Sequence, residues 1–505
     1  MGASDVIDRA MERVPTGIPG LDTVLHGGVF RGGIYIVQGT PGAGKTILGN
    51  QLCFNHVRAG GRALYVTLLT ESHTRLLSHI AELSFFDESA LPDRVAYLSA
   101  FRLLEENGLK GLVDALRREI RARGVSLLVL DGLVSAEETA GTPREFKKFI
   151  HELQTQAGLT DCTMVLLTSA IMEHRFVAAE HTMVDGLVEV QMRMHGRRSE
   201  RAIQVHKLRG TAFHRGLHAM RIGRDGVAVF PRIEALYAHP TVPDGRDGPL
   251  ISTGVPGLDD MMGGLRRHSV TLLMGPAGSG KTTAGLQFLG AGEEPGLYVG
   301  FHETPAAFTY KAETLGLPVA GRIASGEVAT LWQPTTEGLI DEVAQRLLDL
   351  VRARGVGRVF IDGIEGFDRL TDEKDRVSPF LAALTNELRG LGATTVATAE
   401  MDLGGIVPGQ PLAGLSVSAL SPFADAIVAL RYAAAHATVR RFVSVLKSRD
   451  TAIDLRLRGF TIGPGGLAVD ADAGAADAFL RDIGRHTGYG ELPTSSLPAP
   501  ATPGA

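Results

Sequence analysis

Apolar residues in this chain fall into short unbroken runs, separated by longer stretches in which they recur every three or four positions. The runs are Ile34 to Val37, Ala63 to Leu68, Leu127 to Leu130 and Met164 to Leu167, and later Val270 to Met274, Gly296 to Phe301, Val359 to Ile361 and Thr394 to Thr398. An unbroken run of this length predicts a strand buried on both faces, and the longer amphipathic stretches predict helices. Their alternation predicts βαβ units and a mostly parallel sheet flanked by helices. The pattern occurs twice. TGIPGLDTVLHGGVFRGGIYIVQGTPGAGKT runs from Thr16 to Thr46, and TGVPGLDDMMGGLRRHSVTLLMGPAGSGKT from Thr253 to Thr282. In each copy a Gly-Leu-Asp turn, a Gly-rich break, a strand, a second Gly-rich loop and a helix follow in that order. A repeat of this length predicts two tandem domains of one α/β fold. The boundaries expected are a flexible N-terminus over 1–12, a first domain over 13–238, a Pro/Gly/Asp-rich linker over 239–249, a second domain over 250–470 and a disordered Ala/Gly/Pro-rich tail over 471–505.

The second Gly-rich loops carry chemistry. Gly39-Thr40-Pro41-Gly42-Ala43-Gly44-Lys45-Thr46 and Gly275-Pro276-Ala277-Gly278-Ser279-Gly280-Lys281-Thr282 both read GxxxxGK followed by threonine, which is the Walker A or P-loop pattern. Glycines let backbone N–H groups converge on phosphate, and the helix N-terminus adds partial positive charge. Lys45 and Lys281 then reach the outer phosphates of ATP, while Thr46 and Thr282 supply hydroxyls to Mg2+. Asp131 and Asp362 each end an apolar run before glycine, at the sheet edge where ligands collect, and are expected to complete the magnesium shell. Glu71 and Glu303 follow the runs Ala63 to Leu68 and Gly296 to Phe301. Each is expected just beyond a strand next to the P-loop strand, placed to orient and polarise an attacking water.

These motifs together resemble the KaiC family of circadian-clock ATPases, RecA-like P-loop NTPases, from about Val14 to Leu467. The resemblance implies two tandem RecA-like domains and assembly as a nucleotide-dependent homohexamer. Lys207-Leu208-Arg209-Gly210-Thr211 looks like the family's KLRG motif, with His214 close behind and Lys447-Ser448-Arg449-Asp450 at the matching place in the second half. In the family these basic residues reach the ATP of a neighbouring subunit, which implies composite sites. The family pairs two glutamates at each catalytic position, whereas here Thr70 precedes Glu71 and His302 precedes Glu303. The family also phosphorylates adjacent serine and threonine residues in its second half. Aligned on Asp425, Ser421 matches the serine and Pro422 replaces the threonine, which removes one acceptor and leaves single-site autokinase activity at Ser421 as an open expectation.

Composition narrows the remaining classes. The chain has 505 residues, 44% hydrophobic and 21% charged, enough apolar material for separate cores. A net charge of -5, one tryptophan and 6% aromatic residues disfavour nucleic acid as a partner. The alternative, a RecA/RadA-like motor acting on single-stranded DNA, is therefore the weaker expectation. A third reading is a nucleotide-binding scaffold without hydrolysis. Cys53 and Cys162 stand alone in apolar surroundings, so they read as reduced core residues. Without an apolar run of about 18 residues or a signal-peptide pattern, no membrane segment is expected and the cytoplasm is the expected location. A KaiB-like protein or a histidine kinase is the class of signalling partner the resemblance suggests.

Overall fold

The structure, a computed structural model, describes residues 12–70, 73–169, 182–195, 198–239, 249–400, 422–435, 438–449 and 451–486. Glu71, Ser421, Asp450, most of the expected linker and the end of the expected tail lie outside the described residues. The chain divides into two compact units, Met1–Leu236 and Tyr237–Ala505.

Among the described residues, each unit is built on a nine-stranded sheet. In the first, the spatial order is Gly226–Phe230, Leu217–Gly223, Arg198–Leu208, Gly186–His195, Ile34–Gly39, Thr163–Thr168, Leu127–Asp131, Ala63–Thr67 and Val95–Ser99. In the second it is Val328–Trp332, Gly296–Gly300, Arg358–Asp362, Thr394–Glu400, Val270–Gly275, Ala426–Ala435, Thr438–Ser448, Arg458–Gly463 and Gly466–Val469. Pairing is parallel on the P-loop side of both sheets, and the last strands of each unit extend it as antiparallel hairpins. These are two tandem RecA-like domains, each a mostly parallel sheet flanked by helices, as the repeat predicts.

The unbroken apolar runs follow from burial on both faces. Along Ala63–Thr67, Tyr65 packs toward Phe54 of the P-loop helix Lys45–Arg58, while Leu64 and Val66 pack toward Leu112, Leu116, Phe149 and Ile150 of helices Phe101–Arg123 and Pro143–Thr160. Alternate side chains enter opposite cores, so neither face can be polar. Cys53 and Cys162 are fully buried free thiols, as expected.

The repeated Thr-Gly-x-Pro-Gly-Leu-Asp entry is a hydrogen-bonded turn. Asp22 accepts from the amide and hydroxyl of Thr16 at 2.8 and 2.7 Å, and Asp259 accepts from the amide of Thr253 at 2.9 Å. The turn glycines Gly20 and Gly257 have φ of 76° and 81°, and a Cβ there would lie 1.9 Å from Val229 O and 2.5 Å from Val469 O. A buried glutamine then ties each P-loop helix to its unit's last hairpin. Gln51 accepts from Val227 N at 2.7 Å and donates to Val227 O at 3.2 Å; Gln287 does the same with Leu467 at 2.8 and 3.0 Å.

Two expectations need correction. Residues 471–486 are not tail throughout, because Gly474–His486 is a helix whose Ala476 and Phe479 pack on Ala433 and Phe442, with the two phenyl centroids 5.7 Å apart. Composition concealed a three-residue apolar spacing. The strand before Glu303 is also not beside the P-loop strand: Arg358–Asp362 and Thr394–Glu400 lie between them, and the first unit has the same order. The P-loop helix crosses over those two strands, so succession along the chain is not adjacency in the sheet.

Candidate functional site

Both P-loops close the same way. Gly42 and Gly44 have φ of 79° and 106°, and Gly278 and Gly280 have φ of 73° and 103°, which turn the loop into the helix start. A Cβ on Gly39 would lie 2.0 Å from Val190 O, and one on Gly275 would lie 2.5 Å from Leu430 O, so the first loop residue must be glycine. The lysine ammonium folds back on its own loop. Lys45 Nζ donates to Gly39 O and Thr40 O at 2.7 and 2.9 Å, and Lys281 Nζ to Gly275 O and Pro276 O at 2.8 Å each. Burial lowers the pKa of both lysines, an effect opposed by Asp131 at the first and by Glu400, Glu365 and Asp362 at the second. The hydroxyls of Thr40 and Ser279 are buried in these loops without a hydrogen-bond partner among the described residues.

A hydroxyl–carboxylate hydrogen bond forms beside each P-loop. Thr46 Oγ1 donates to Asp131 Oδ2 at 2.9 Å, and Thr282 Oγ1 to Asp362 Oδ2 at 3.0 Å. The second contact on each carboxylate differs. Tyr65 Oη donates to Asp131 at 2.7 Å in the first unit, while Thr398 Oγ1 donates to Asp362 Oδ1 at 2.8 Å in the second. The matching Tyr298 hydroxyl is buried without a partner among the described residues. Burial pushes the Asp362 carboxyl up, against the hydrogen bonds of Thr398 and Thr282. A hydroxyl beside one buried carboxylate, next to a phosphate cradle, is a donor set that suits Mg2+, which uses few protein oxygens and takes the rest from phosphate and water.

Glu303 stands outside the helix Pro305–Thr314, because Thr304 is its N-cap and accepts from Ala307 N at 3.3 Å. Its carboxylate is ion-paired with Lys311, and both groups act electrostatically on Asp362. Glu303 is the third residue after Gly296–Gly300, whereas Glu71 is the fourth after Ala63–Thr67, so Thr70 holds the matching register. The site residues that the sequence did not single out are Tyr65, Thr398, Lys311, Glu365 and Glu400. Thr398 and Glu400 end the TTVATAE run and Glu365 sits in DGIEGFD, where a search for polar residues at strand ends would have found them.

The family model of the KaiC ATPase matches the chain twice, over residues 14–234 and 251–474. The chain belongs to the KaiC ATPase family. It is 25% identical over 500 residues to the circadian clock oscillator protein KaiC of Picosynechococcus sp., covering 91% of this chain and 90% of that protein. It is 24% identical over 483 residues to the circadian clock protein KaiC3 of Synechocystis sp., covering 91% and 92%. The KLRG-like segments then have a clear location. The strand Arg198–Leu208 runs antiparallel to Gly186–His195, and Leu208 pairs with Gly186, which pairs with Tyr35 at the start of the P-loop strand. Lys207 and Arg209 thus stand at the sheet edge opposite Gly39, about 13 Å away at some 3.3 Å per residue. Lys207 Nζ donates to Thr182 O at 2.9 Å, and Arg209 lies 4.0 Å from Asp185. Lys447 and Arg449 repeat this, donating to Ala424 O and Pro422 O at 2.8 Å each. His214 is packed edge-on against His26, with ring centroids 4.5 Å apart. The structure therefore brings together Lys45, Thr46 and Asp131 in the first unit and Lys281, Thr282 and Asp362 in the second, with Glu303 held on Lys311 and acting on Asp362 electrostatically, whereas Lys207, Arg209, Lys447 and Arg449 stand at the opposite edge of the sheet.

Proposed function

We propose that this KaiC-family ATPase binds MgATP at both P-loops and hydrolyses it, acting in the cytoplasm as a signalling or timing switch. The observation that carries the reading is the hydroxyl–carboxylate pair formed beside a P-loop lysine in both units, at 2.9 and 3.0 Å. On nucleotide arrival Lys45 and Lys281 would exchange loop carbonyls for outer phosphate oxygens, and the loop amides would take the rest of the charge. Thr46 with Asp131, and Thr282 with Asp362, would hold magnesium. When bound, magnesium neutralises charge on the phosphate oxygens. Glu303, kept in place by Lys311, orients and polarises the attacking water in the second unit, and Glu71 does so in the first.

The trans role of Lys207, Arg209, His214, Lys447 and Arg449 is supported by their location away from their own P-loops. A neighbour's nucleotide is then their natural target, which makes the homohexamer part of the catalytic unit. A KaiB-like protein or a histidine kinase would read its nucleotide state. The test is phosphate release from MgATP by Lys45→Met, Lys281→Met and the double variant. Each single variant should keep part of the activity and the double variant none; release by the double variant at the wild-type rate would refute the reading. Autokinase activity at Ser421 is tested by intact mass after MgATP, where a phosphate-sized increase must vanish in Ser421→Ala. The family match does not favour the DNA-motor alternative, and filter binding with single-stranded DNA in MgATP should show no tight, salt-sensitive retention.

A further inference from the structure

The two sites differ in one respect that the hydrolysis reading does not use. In the second unit, Glu365 stands three residues past Asp362, where the first unit has Val134 three past Asp131. Glu400 stands six past Thr394, where Ser169 stands six past Thr163. At these two matching positions the second site carries carboxylates and the first does not.

Their placement is specific. Thr394–Glu400 lies between the P-loop strand Val270–Gly275 and the Asp362 strand, and Glu400 pairs in register with Gly275, the first residue of the loop. Along this strand Val396 faces the core under the P-loop helix and Thr398 reaches Asp362. Glu400, two residues further, projects on that same face. Glu365 Oε1 accepts a hydrogen bond from Glu400 N, which fixes the end of the strand. Among the carboxylates acting on the Lys281 ammonium, Glu400 is the strongest and Glu365 the next, ahead of Asp362. By strand spacing, Glu400 is one strand, about 4.8 Å, from the P-loop strand, whereas Glu303 follows a strand three places, about 14 Å, away.

We propose that Glu400 is the proton acceptor for the attacking water at the second site, and that Glu365 is a positioning residue that seats it. The inference rests on the reading of this site as an ATPase. In the step, the water oxygen bonds to the γ-phosphorus as the bond to the bridging oxygen breaks, and ADP leaves with that electron pair. One water proton passes to Glu400 and then to solvent, so ATP and water give ADP, phosphate and a proton. Glu303 and its Lys311 partner orient the water from the other side of Asp362. The first site, with Ser169 in place of Glu400, lacks this acceptor.

The test uses the full-length chain with Lys45→Met to silence the first site. Phosphate release from MgATP gives kcat and KM across pH, and binding of a fluorescent ATP analogue shows that each variant is folded. Glu400→Gln should lower kcat on the order of 10²-fold with KM little changed, and should remove the acid limb of the kcat–pH profile. Glu365→Gln should lower kcat less, with KM unchanged, and Glu365→Asp should restore part of it. The proposal is overturned if Glu400→Gln keeps kcat within about twofold, or lowers KM at constant kcat, the sign of a carboxylate that only repels phosphate. A different outcome sinks the underlying ATPase reading: Lys45→Met alone releasing no more phosphate than Lys45→Met with Lys281→Met.

Discussion

Tyr65 and Tyr298 occupy matching places on matching strands, yet removing the same hydroxyl from each should change stability in opposite directions. Tyr65 is fully buried and donates to the buried Asp131 at 2.7 Å. A hydrogen bond to a charged group contributes about 1.5–3 kcal/mol, and Tyr65→Phe leaves Asp131 with the Thr46 hydroxyl alone among the described side chains, so the first unit should lose about 2 kcal/mol. The Tyr298 hydroxyl has no partner among the described residues, and Asp362 already accepts from Thr282 and Thr398. Tyr298→Phe removes an unsatisfied buried group and keeps the ring stacked on Phe308 at 3.7 Å, so the second unit should gain about 1 kcal/mol. At some 2–4 °C per kcal/mol for units of this size, the first variant should lower a Tm by about 4–8 °C and the second raise one by about 2–4 °C. The chain's only tryptophan, Trp332, lies in the second unit, so its fluorescence follows that unit while circular dichroism follows both. Downward shifts of similar size in both variants would refute the reasoning.

Three further outcomes are expected. Burial pushes the pKa of His56 down to about 4, so it folds neutral; first-unit stability should be complete above pH 6.5 and fall by up to about 3 kcal/mol as pH drops toward 4, a loss that His56→Gln should flatten in denaturant titrations. A cavity of about 50 Å³ lies among Leu25, Val37, Leu48, Leu52, Val188 and Ile203, where the second unit has Phe288 in the place of Leu52; Leu52→Phe should raise first-unit stability by about 1 kcal/mol at some 24 cal/mol per Å³, measured as a shift of the denaturation midpoint. Gln287→Ala strands both the N–H and the C=O of Leu467 and should cost the second unit about 2–3 kcal/mol by Trp332 fluorescence.

The fold was legible because strands buried on both faces must be apolar throughout, and because a repeated pattern specifies itself twice. The P-loops and their aspartates were legible for a related reason: a phosphate cradle depends on local backbone geometry and on one strand end. What composition and spacing did not reveal depends on strand order. Glu303 reads as near the loop when the chain is followed, yet two strands separate them, and Glu400 becomes the loop's neighbour only once Thr394–Glu400 is inserted beside Val270–Gly275. The helix Gly474–His486 is hard to read from sequence because Ala and Gly dominate its surroundings and, among the described side chains, Ala476 and Phe479 anchor it.

The glutamine tie between each P-loop helix and the last hairpin gives the nucleotide a short mechanical route to the rim of each unit. In the first unit that hairpin strand, Gly226–Phe230, lies four places from the P-loop strand, and relaying a displacement through the sheet would mean shearing several ladders of backbone bonds. Gln51 bypasses them, since a shift of the helix pulls directly on both polar groups of Val227. If nucleotide binding displaces the helix, the hairpin is expected to follow it, and a change in the exchange rates of the Val227 and Leu467 amides on adding MgATP is the measurement that checks this.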